Sequence, residues 1–248
     1  MRSSLTHTTV PEIPVRQWPS KSQNGILHSF VANSKKYLLF KRGFDLVFAI
    51  LAILLVLSWL VPLTAMLIKF TSAGPVFFLQ KRIGKKGKPF YCIKFRTMIR
   101  NSEADERPAE SDDYRVTRIG RFLRRTNVDE LPQFFNVLAG QMSVVGPRPH
   151  MVADCNRFSF VIPSYQFRSI LKPGITGYAQ VNGYHGPTAD YESIIIRYYW
   201  DAQYVRRASI WLDLKIIGVT IIQFLRNIKE ALFNPHSAND VNVRLVKR

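Results

Sequence analysis

The adjacent carboxylates Asp129 and Glu130 are the residues of this sequence best suited to catalysis. The apolar residues that follow them, from position 131 to position 138, are spaced by three and four, which predicts a helix with one buried face that begins at the acid pair. Either Asn127 or Asp129 can serve as its N-cap, and both registers place carboxylates at the positive end of the helix dipole. An acid pair in this position can simply cap the helix, so its surroundings decide how it is interpreted.

Basic residues lie on both sides of the acid pair. Upstream, arginines recur at intervals of three and four residues between positions 118 and 125, which predicts a cationic helix face leading into the same turn. Downstream, Arg148 lies between Pro147 and Pro149, which fix the backbone around it. Cations that converge on an acidic helix start indicate a bound phosphate with a metal ion between the two anions. We therefore favour a catalytic role for the pair over simple capping.

Several blocks of the sequence, in order, resemble the bacterial sugar transferase family. The run DELPQFFNVLAGQMSVVGPRP, which begins at Asp129, resembles the core of the family. The other blocks are GPVFFLQKRIGKKGKPF, KFRTM, RVTRIGRFLRR, KPGITGYAQVNG and WLDLKII, and the similarity extends over about residues 41–224. Family members are monotopic phosphoglycosyl transferases, which move a sugar phosphate from a UDP-sugar to undecaprenyl phosphate. The resemblance implies these two substrates and the initiating step of exopolysaccharide, capsule or O-antigen synthesis.

The resemblance also implies a mechanism. Asp129 is the nucleophile that attacks the β-phosphorus of the UDP-sugar, forms an aspartyl phosphosugar and releases UMP. A carboxylate with a pKa near about 4 is ionised at neutral pH and needs no general base. Mg²⁺ held by Asp129 and Glu130 would polarise the phosphorus, and the resemblance does not decide which acid is the direct ligand. A direct, non-covalent transfer stays open, and the sugar is not fixed, although the region near Tyr184 favours glucose or galactose.

The candidates for substrate binding are Lys94, Arg96, Arg124, Pro147, Arg148, Pro149 and His185. Arg124 and the Pro-Arg-Pro turn match family positions that contact phosphate or the uridine end of the donor. Lys94 and Arg96 share one face if residues 90–96 are extended, and from that face they can address a diphosphate. His185 stands near the place where family members have an arginine that meets the sugar phosphate, and its role there would depend on its protonation.

The net charge of +18, from 35 Lys and Arg against 17 Asp and Glu, requires an anionic partner. Phosphorylated substrates and the lipids of an inner membrane both fit. No nucleic-acid-binding motif is recognisable, so nucleic acid is not expected. The alternative is a basic membrane-associated adaptor that binds anionic lipid or nucleic acid without catalysis, although a pure anion binder gains nothing from two acids among its cations. The sequence leaves homo-oligomerisation open.

Residues 46–68 form a run of 23 residues without a charge, which is long enough to cross a bilayer as a helix. Lysines and arginines lie on both sides of the run, and both flanks therefore favour the cytoplasm. Ser58 and Pro62 lie near the middle, where a proline kinks a helix and a serine can satisfy a freed carbonyl. We predict a re-entrant helix that breaks there, as in the resembling family, with a straight transmembrane helix as the alternative. The catalytic domain then lies on the cytoplasmic face of the bacterial inner membrane.

The sequence as a whole predicts a helix-rich α+β fold around one compact cytoplasmic domain. Residues 74–78 and 90–95 read as a small β-hairpin, and the aromatic and basic residues after position 191 read as interfacial amphipathic helices. The expected organisation is a disordered leader (1–34), a re-entrant membrane anchor (35–70), the catalytic domain with its interfacial helices (71–233) and a flexible tail (234–248).

Overall fold

The computed structural model describes residues 34–100, 113–184 and 191–233, and over these it has the helix-rich α+β architecture expected from the sequence. The helices are α1 (Lys35–Ala52), α2 (Ser58–Thr71), α3 (Arg118–Thr126), α4 (Gln133–Leu138), α5 (Val152–Val161), α6 (Tyr178–Val181), α7 (Tyr191–Arg207) and α8 (Ile210–Phe233). The strands are β1 (Phe77–Ile83), β2 (Pro89–Phe95), β3 (Ser143–Val145) and β4 (Gly174–Thr176). Short 3₁₀ helices lie at Lys85–Gly87, Val128–Glu130 and Tyr165–Ile170. The expected tail, and all of the expected leader except Ser34, lie outside the described residues.

Helical structure continues from Lys35 to Thr71, a stretch long and apolar enough to cross a membrane. Its irregular part is a π-helical segment, Ile53–Leu57, which joins α1 to α2 just before Ser58. The Ser58 hydroxyl donates a hydrogen bond to the Leu54 carbonyl over 2.7 Å, within the irregular turn. The carbonyl that Pro62 deprives of its helical donor is that of residue 58, so the observed bond is not the one expected from the sequence. Pro62 lies within α2. The re-entrant course of this segment stays a prediction.

The predicted hairpin forms, with its second strand close to the expected position, but its first strand is Phe77–Ile83 and not residues 74–78. β1 and β2 pair antiparallel, with Gln80 opposite Cys92 and Phe78 opposite Lys94. The turn between them needs left-handed backbone at Lys86 and Gly87, whose φ angles are 56° and 75°. Alternation along β2 turns Cys92 into the core, and Lys94 leaves the same face of the strand two residues later.

The segment around the acid pair differs from the predicted helix. Asp129 and Glu130 lie in the 3₁₀ turn Val128–Glu130, which we call the acid turn, and α4 begins only at Gln133. Neither predicted N-cap forms, because Asn127 is the C-cap of α3 in a left-handed conformation with φ 57° and makes no side-chain capping bond to the acid turn. A residue in that conformation closes one helix and cannot take the extended backbone of an N-cap. The acid pair therefore lies at a sharp turn between two helices.

The parallel pair β3–β4 lies in the main apolar core and leads into the Pro-Arg-Pro turn. Val145 pairs with Thr176, and the Gly146 N–H donates to the Thr176 carbonyl. A Cβ on Gly146 would lie 2.4 Å from the Lys172 carbonyl, so only glycine allows the two segments to approach this closely. The chain enters the Pro-Arg-Pro turn from this fixed position.

Apolar side chains from the long helix contribute to the same core. Ala49 and Leu57 are buried in the cluster that includes Val145 and Ile216, and Ile68 is buried in a second cluster with Phe95 and others. Other faces of the long helix and of α8 leave large apolar side chains exposed: Leu54, Leu55, Trp59, Phe70, Trp211, Ile222 and Leu225. Exposed apolar surface of this extent is typical of a membrane or partner contact.

Candidate active site

Three separate segments bring the acid turn and two of the predicted cations together. Lys94, at the end of the hairpin, places its Nζ 2.7 Å from Glu130 Oε1. Arg148, in the Pro-Arg-Pro turn, donates from Nη2 to Glu130 Oε1 over 2.7 Å and from Nη1 to Glu130 Oε2 over 3.1 Å. Both oxygens of Glu130 are thus occupied by hydrogen-bonded cations. A bidentate arginine–carboxylate pair of this kind fixes orientation as well as charge.

Asp129 is buried beside this pair with only 9% of its surface exposed, and its carboxylate accepts no hydrogen bond from any described residue. Burial raises the pKa of Asp129 to about 6, with the charge of Lys94 opposing the rise and that of Glu130 adding to it. The ordinary value of about 4 expected from the sequence is therefore too low. Asp129 is still largely ionised at neutral pH.

The neighbouring acid shifts in the opposite direction. Burial opposes ionisation of Glu130, but the charges of Arg148 and Lys94 and their hydrogen bonds outweigh it and hold the pKa of Glu130 well below its usual range. The two carboxylates of the acid turn are thus chemically distinct. Glu130 is a permanently charged partner of two cations, whereas Asp129 keeps its oxygens free for another ligand or for bond formation.

Arg124 also lies at the site, at the end of α3. Its Nε donates to Thr97 Oγ1 over 2.7 Å. Burial lowers the pKa of Arg124, and the nearby charge of Asp129 is the main opposing influence. Arg118 and Arg121, which the sequence placed on the cationic face leading to the site, are exposed to solvent instead. Arg124 is thus an upstream cation whose charge reaches Asp129.

The backbone of the Pro-Arg-Pro turn is held by hydrogen bonds to each of its carbonyls. Gly174 N–H donates to the Pro147 carbonyl over 3.0 Å, and Arg82 Nη1 donates to the Pro149 carbonyl over 3.1 Å. Arg168 Nη2 donates to the carbonyl of Arg148 itself over 2.5 Å. These contacts fix the direction in which the Arg148 side chain leaves the turn. Pro147 and Pro149 contribute here through their carbonyls, in addition to restricting the backbone.

Sequence reasoning missed the residues that hold this turn. Arg168 is paired with Asp201 through Nε and Nη2, at 2.9 Å and 2.7 Å from Asp201 Oδ2, and both side chains are buried. Their 33-residue separation leaves no local pattern that a reader of the sequence can detect. Arg82 lies within the block GPVFFLQKRIGKKGKPF, on the strand that pairs with the strand of Lys94. The alternation of side chains that placed Lys94 on the site face of the hairpin also places Arg82 on that face, and it was the available signal for Arg82.

One of the predicted substrate-binding residues, Arg96, does not join the acid turn. β2 ends at Phe95, so Arg96 does not share the face of Lys94; its Nη1 and Nη2 donate to the carbonyls of Ala73 and Ser72 at 2.6 Å and 2.7 Å. These bonds tie the chain after α2 to the hairpin and occupy the guanidinium, so the structure places Arg96 in a structural role. His185 lies outside the described residues, and its expected role stays a prediction.

The acid turn offers a small set of oxygen ligands. Within the described ranges, no group of three or more His, Cys, Asp or Glu side chains converges as a metal centre would require. Mg²⁺ often binds through one or two carboxylates, with water and substrate phosphates completing its octahedron. The unoccupied carboxylate of Asp129 fits that pattern, and Glu130 is less suited to it because both of its oxygens are already hydrogen-bonded.

The acid turn, with cations held beside two carboxylates, is suited to chemistry on a phosphate group, and comparison with known families agrees. The profile described as bacterial sugar transferase matches residues 36–227, and the chain belongs to this family. It is 42% identical over 215 residues, 86% of the chain, to UDP-glucose:undecaprenyl-phosphate glucose-1-phosphate transferase of Escherichia coli K12. It is 46% identical over 186 residues, 75% of the chain, to UDP-N-acetylgalactosamine-undecaprenyl-phosphate N-acetylgalactosaminephosphotransferase of Aeromonas hydrophila.

A third relative is matched over nearly all of its own length. Exopolysaccharide production protein PSS of Rhizobium leguminosarum bv. phaseoli is 44% identical over 193 residues, which is 76% of the chain and 96% of the relative. By contrast, the matched region spans only 43% of the E. coli protein and 43% of the A. hydrophila protein. The similarity to those two proteins is thus confined to less than half of their length.

Proposed function

We propose that the protein transfers a sugar 1-phosphate from a UDP-sugar to undecaprenyl phosphate through a covalent intermediate on Asp129, and thereby initiates synthesis of a surface polysaccharide. The observation that carries the proposal is the contrast within the acid turn. Asp129 is buried, largely ionised and free of hydrogen-bond donors among the described residues, beside a Glu130 that holds two cations. The names of the relatives support the two substrate classes and the polysaccharide pathway.

In the first half of the reaction, an oxygen of Asp129 attacks the β-phosphorus of the UDP-sugar. The bond from that phosphorus to the bridging oxygen breaks, and the electron pair leaves with UMP. Both reactants are anions, so positive charge must be present before they meet. Lys94, Arg124 and Arg148 supply that charge, and Glu130 fixes two of these cations in place.

In the second half, a phosphate oxygen of undecaprenyl phosphate attacks the same phosphorus. The bond to Asp129 breaks, which gives undecaprenyl-diphosphate-sugar and restores the carboxylate. The attacking phosphate is joined to a long isoprenoid chain, which stays in the bilayer if the acid turn lies at headgroup depth. Asp129 is the residue that would hold Mg²⁺, and the ion would supply further positive charge to the substrate phosphates.

The packing of the long helix supports a monotopic anchor with the whole body on one side of the membrane, and the basic flanks of the helix favour the cytoplasmic side. Near its start, Lys41 pairs with Asp213 of α8 over 2.7 Å, and Asp45 accepts from Ser143 and Val144 of β3. Near its end, Ile68 is buried against Phe95 and its neighbours. A straight span would carry these two ends to opposite sides of the bilayer, whereas both pack on the same body. The exposed apolar faces of the long helix and α8 would then contact lipid.

The experiment that tests the proposal is UMP release by the detergent-solubilised protein with Mg²⁺. The donor panel contains UDP-glucose, UDP-galactose and UDP-N-acetylgalactosamine, because the relatives are named for different sugars. A covalent route predicts about one UMP per enzyme without acceptor and continued turnover once undecaprenyl phosphate is added. Release only in the presence of acceptor would contradict the covalent intermediate. No release from any donor would favour the non-catalytic adaptor.

A further inference from the structure

Three basic residues form a second cationic group at the start of the long helix: Arg42 of α1, Lys85 of the hairpin turn and Lys172, just before β4. We call this group the basic cluster. Arg42 Nη1 and Nη2 donate to the carbonyls of Val137 and Leu138 at 2.7 Å and 3.0 Å, which hold the guanidinium at the end of α4. The carboxylate of Asp45, one turn further along α1, accepts hydrogen bonds from Ser143 and Val144.

Lys172 approaches the same place. A Cβ built on Gly140 would lie 3.5 Å from Arg42 Nη2 and 3.7 Å from Lys172 Nζ, so the two cationic groups lie close together around Gly140. Burial lowers the pKa of Lys172, and the charges of Arg42 and Lys85 lower it further, with Asp45 opposing them. Burial and the charge of Lys86 also lower the pKa of Lys85. Neither lysine forms an ion pair with a carboxylate among the described residues.

The position of the basic cluster indicates which anion its unpaired lysines can bind. Arg42 precedes by one helical turn the apolar run that begins at residue 46, which places it at headgroup depth if the run enters the bilayer. Gly84, next to Lys85, and Pro173, next to Lys172, line one cleft together with Pro147 and Arg148. The basic cluster thus lies between the membrane end of α1 and the turn that carries Arg148.

We propose that the basic cluster binds the phosphate of the polyprenyl phosphate acceptor at the membrane surface, before it reaches the acid turn. This inference rests on the proposed function. A phosphate monoester carries up to two negative charges and several acceptor oxygens, which suits a site of two primary ammonium groups and one guanidinium. The acceptor must reach Asp129 from the bilayer, and the basic cluster lies where the chain meets the headgroups.

The test compares Lys85→Gln/Lys172→Gln with the matched control Lys81→Gln. Lys81 is exposed on β1 and alternates away from Arg82 and the site. For the double variant we expect KM for undecaprenyl phosphate to rise about 30-fold, because each lysine contributes about 1 kcal/mol at a membrane surface and about 1.4 kcal/mol corresponds to tenfold. KM for the UDP-sugar and the single-turnover release of UMP without acceptor should stay near those of the unmodified protein. The control should leave all three quantities unchanged.

The other outcomes each contradict the inference in a recognisable way. Slower UMP release without acceptor would assign the lysines to the donor site. An unchanged acceptor KM together with weaker flotation on phosphatidylglycerol vesicles would assign the basic cluster to bulk anionic lipid. No change in any of these measurements would mean that the cluster binds no lipid phosphate. Failure of the unmodified protein to release UMP from any donor would overturn the proposed function itself, and with it this site.

Discussion

Asp213 and Asp129 are both buried aspartates near basic residues, and they differ in the number of donors that reach them. Asp213 is 0% exposed and accepts three hydrogen bonds: from Tyr37 at 3.1 Å, Lys41 at 2.7 Å and Tyr204 at 2.7 Å. These donors come from α1 and α7, so the carboxylate joins two helices to α8. Asp129 accepts no such bond from the described residues, although the charges of Lys94, Arg124 and Arg148 all lower its pKa.

The difference separates a carboxylate that builds the fold from one that is available for chemistry. A buried charge with satisfied hydrogen bonds resists replacement, since removal of either partner leaves the other uncompensated. A buried charge without donors destabilises the fold when ionised, and proteins keep such groups chiefly at functional sites. Glu130 combines both roles. Both of its carboxylate oxygens accept hydrogen bonds, as those of Asp213 do, yet it lies next to Asp129 in the acid turn.

Replacement of Asp129 by asparagine is the strongest test of this contrast between Asp129 and Asp213. We expect Asp129→Asn to lose sugar-phosphate transfer by about 10³-fold or more, because the amide cannot form the phosphoryl bond. The free energy of unfolding should rise at the same time. The raised pKa of Asp129 means that its ionisation costs stability, and this cost is present above about pH 6 and disappears as the pH falls towards the unfolded value. Labelling with a radioactive UDP-sugar and thermal unfolding at pH 8 and pH 5 measure the two effects.

An Asp129→Asn protein that melts earlier than the unmodified protein at pH 8 would show that Asp129 is a structural residue like Asp213. Retained labelling in this variant would place the covalent bond on another residue. Either result removes the distinction between the two aspartates.

Asp213→Asn should have the opposite outcome. It leaves the ammonium of Lys41 buried without a counter-charge, and we expect a loss of about 3–5 kcal/mol in the free energy of unfolding. The matched control on the same helix is Glu230→Gln, because Glu230 forms an exposed pair with Arg226 at 3.9 Å and should contribute less than about 1 kcal/mol. Denaturant unfolding in detergent compares the three proteins. Equal stability of the two variants would contradict the structural role of Asp213.

Glu130→Gln should affect both rate and stability, since Glu130 shares features of the two aspartates. The variant loses the charge that orients Lys94 and Arg148, and misplacement of two such groups lowers single-turnover UMP release by about 100-fold. The pKa of Glu130 is lowered in the fold, so its charge stabilises the protein above the ordinary glutamate range and that contribution is lost as the pH falls. The stability difference from the unmodified protein should therefore be larger at pH 7 than at pH 4. A difference independent of pH would argue against the ion pairs.

The sequence predicted the parts of this site that lie in continuous patterns. The block beginning at Asp129 identified the acid pair and Arg148, and alternation along the hairpin selected Lys94. Contacts between distant segments have no such pattern, which is why the Arg168–Asp201 pair that holds the Arg148 carbonyl was not predicted. Where the predicted ends of helices and strands were wrong, the cause lies in a few neighbouring residues.

Two of those errors show the physical reason. The helix expected to begin at the acid pair begins at Gln133, because Asn127 already closes α3 in a left-handed conformation. Arg96 was placed with Lys94 on the assumption that the strand continues past Phe95. Helical spacing and alternation report which faces are apolar, and they do not report where neighbouring elements end.

The smallest expected effect is a change in pH dependence. In the unmodified protein, the rate of single-turnover UMP release should fall about tenfold per pH unit below about pH 6, because only ionised Asp129 attacks phosphorus. In Glu130→Gln this midpoint should move to lower pH, since the negative charge of Glu130 raises the pKa of Asp129 and its removal also leaves Lys94 and Arg148 uncompensated. Rapid-quench measurements between pH 5 and pH 8 determine both midpoints, at equal ionic strength. A midpoint near pH 4 in the unmodified protein would mean that Asp129 is exposed to water and has an ordinary aspartate pKa. An upward shift of the midpoint in Glu130→Gln would mean that the two carboxylates do not interact as their positions require.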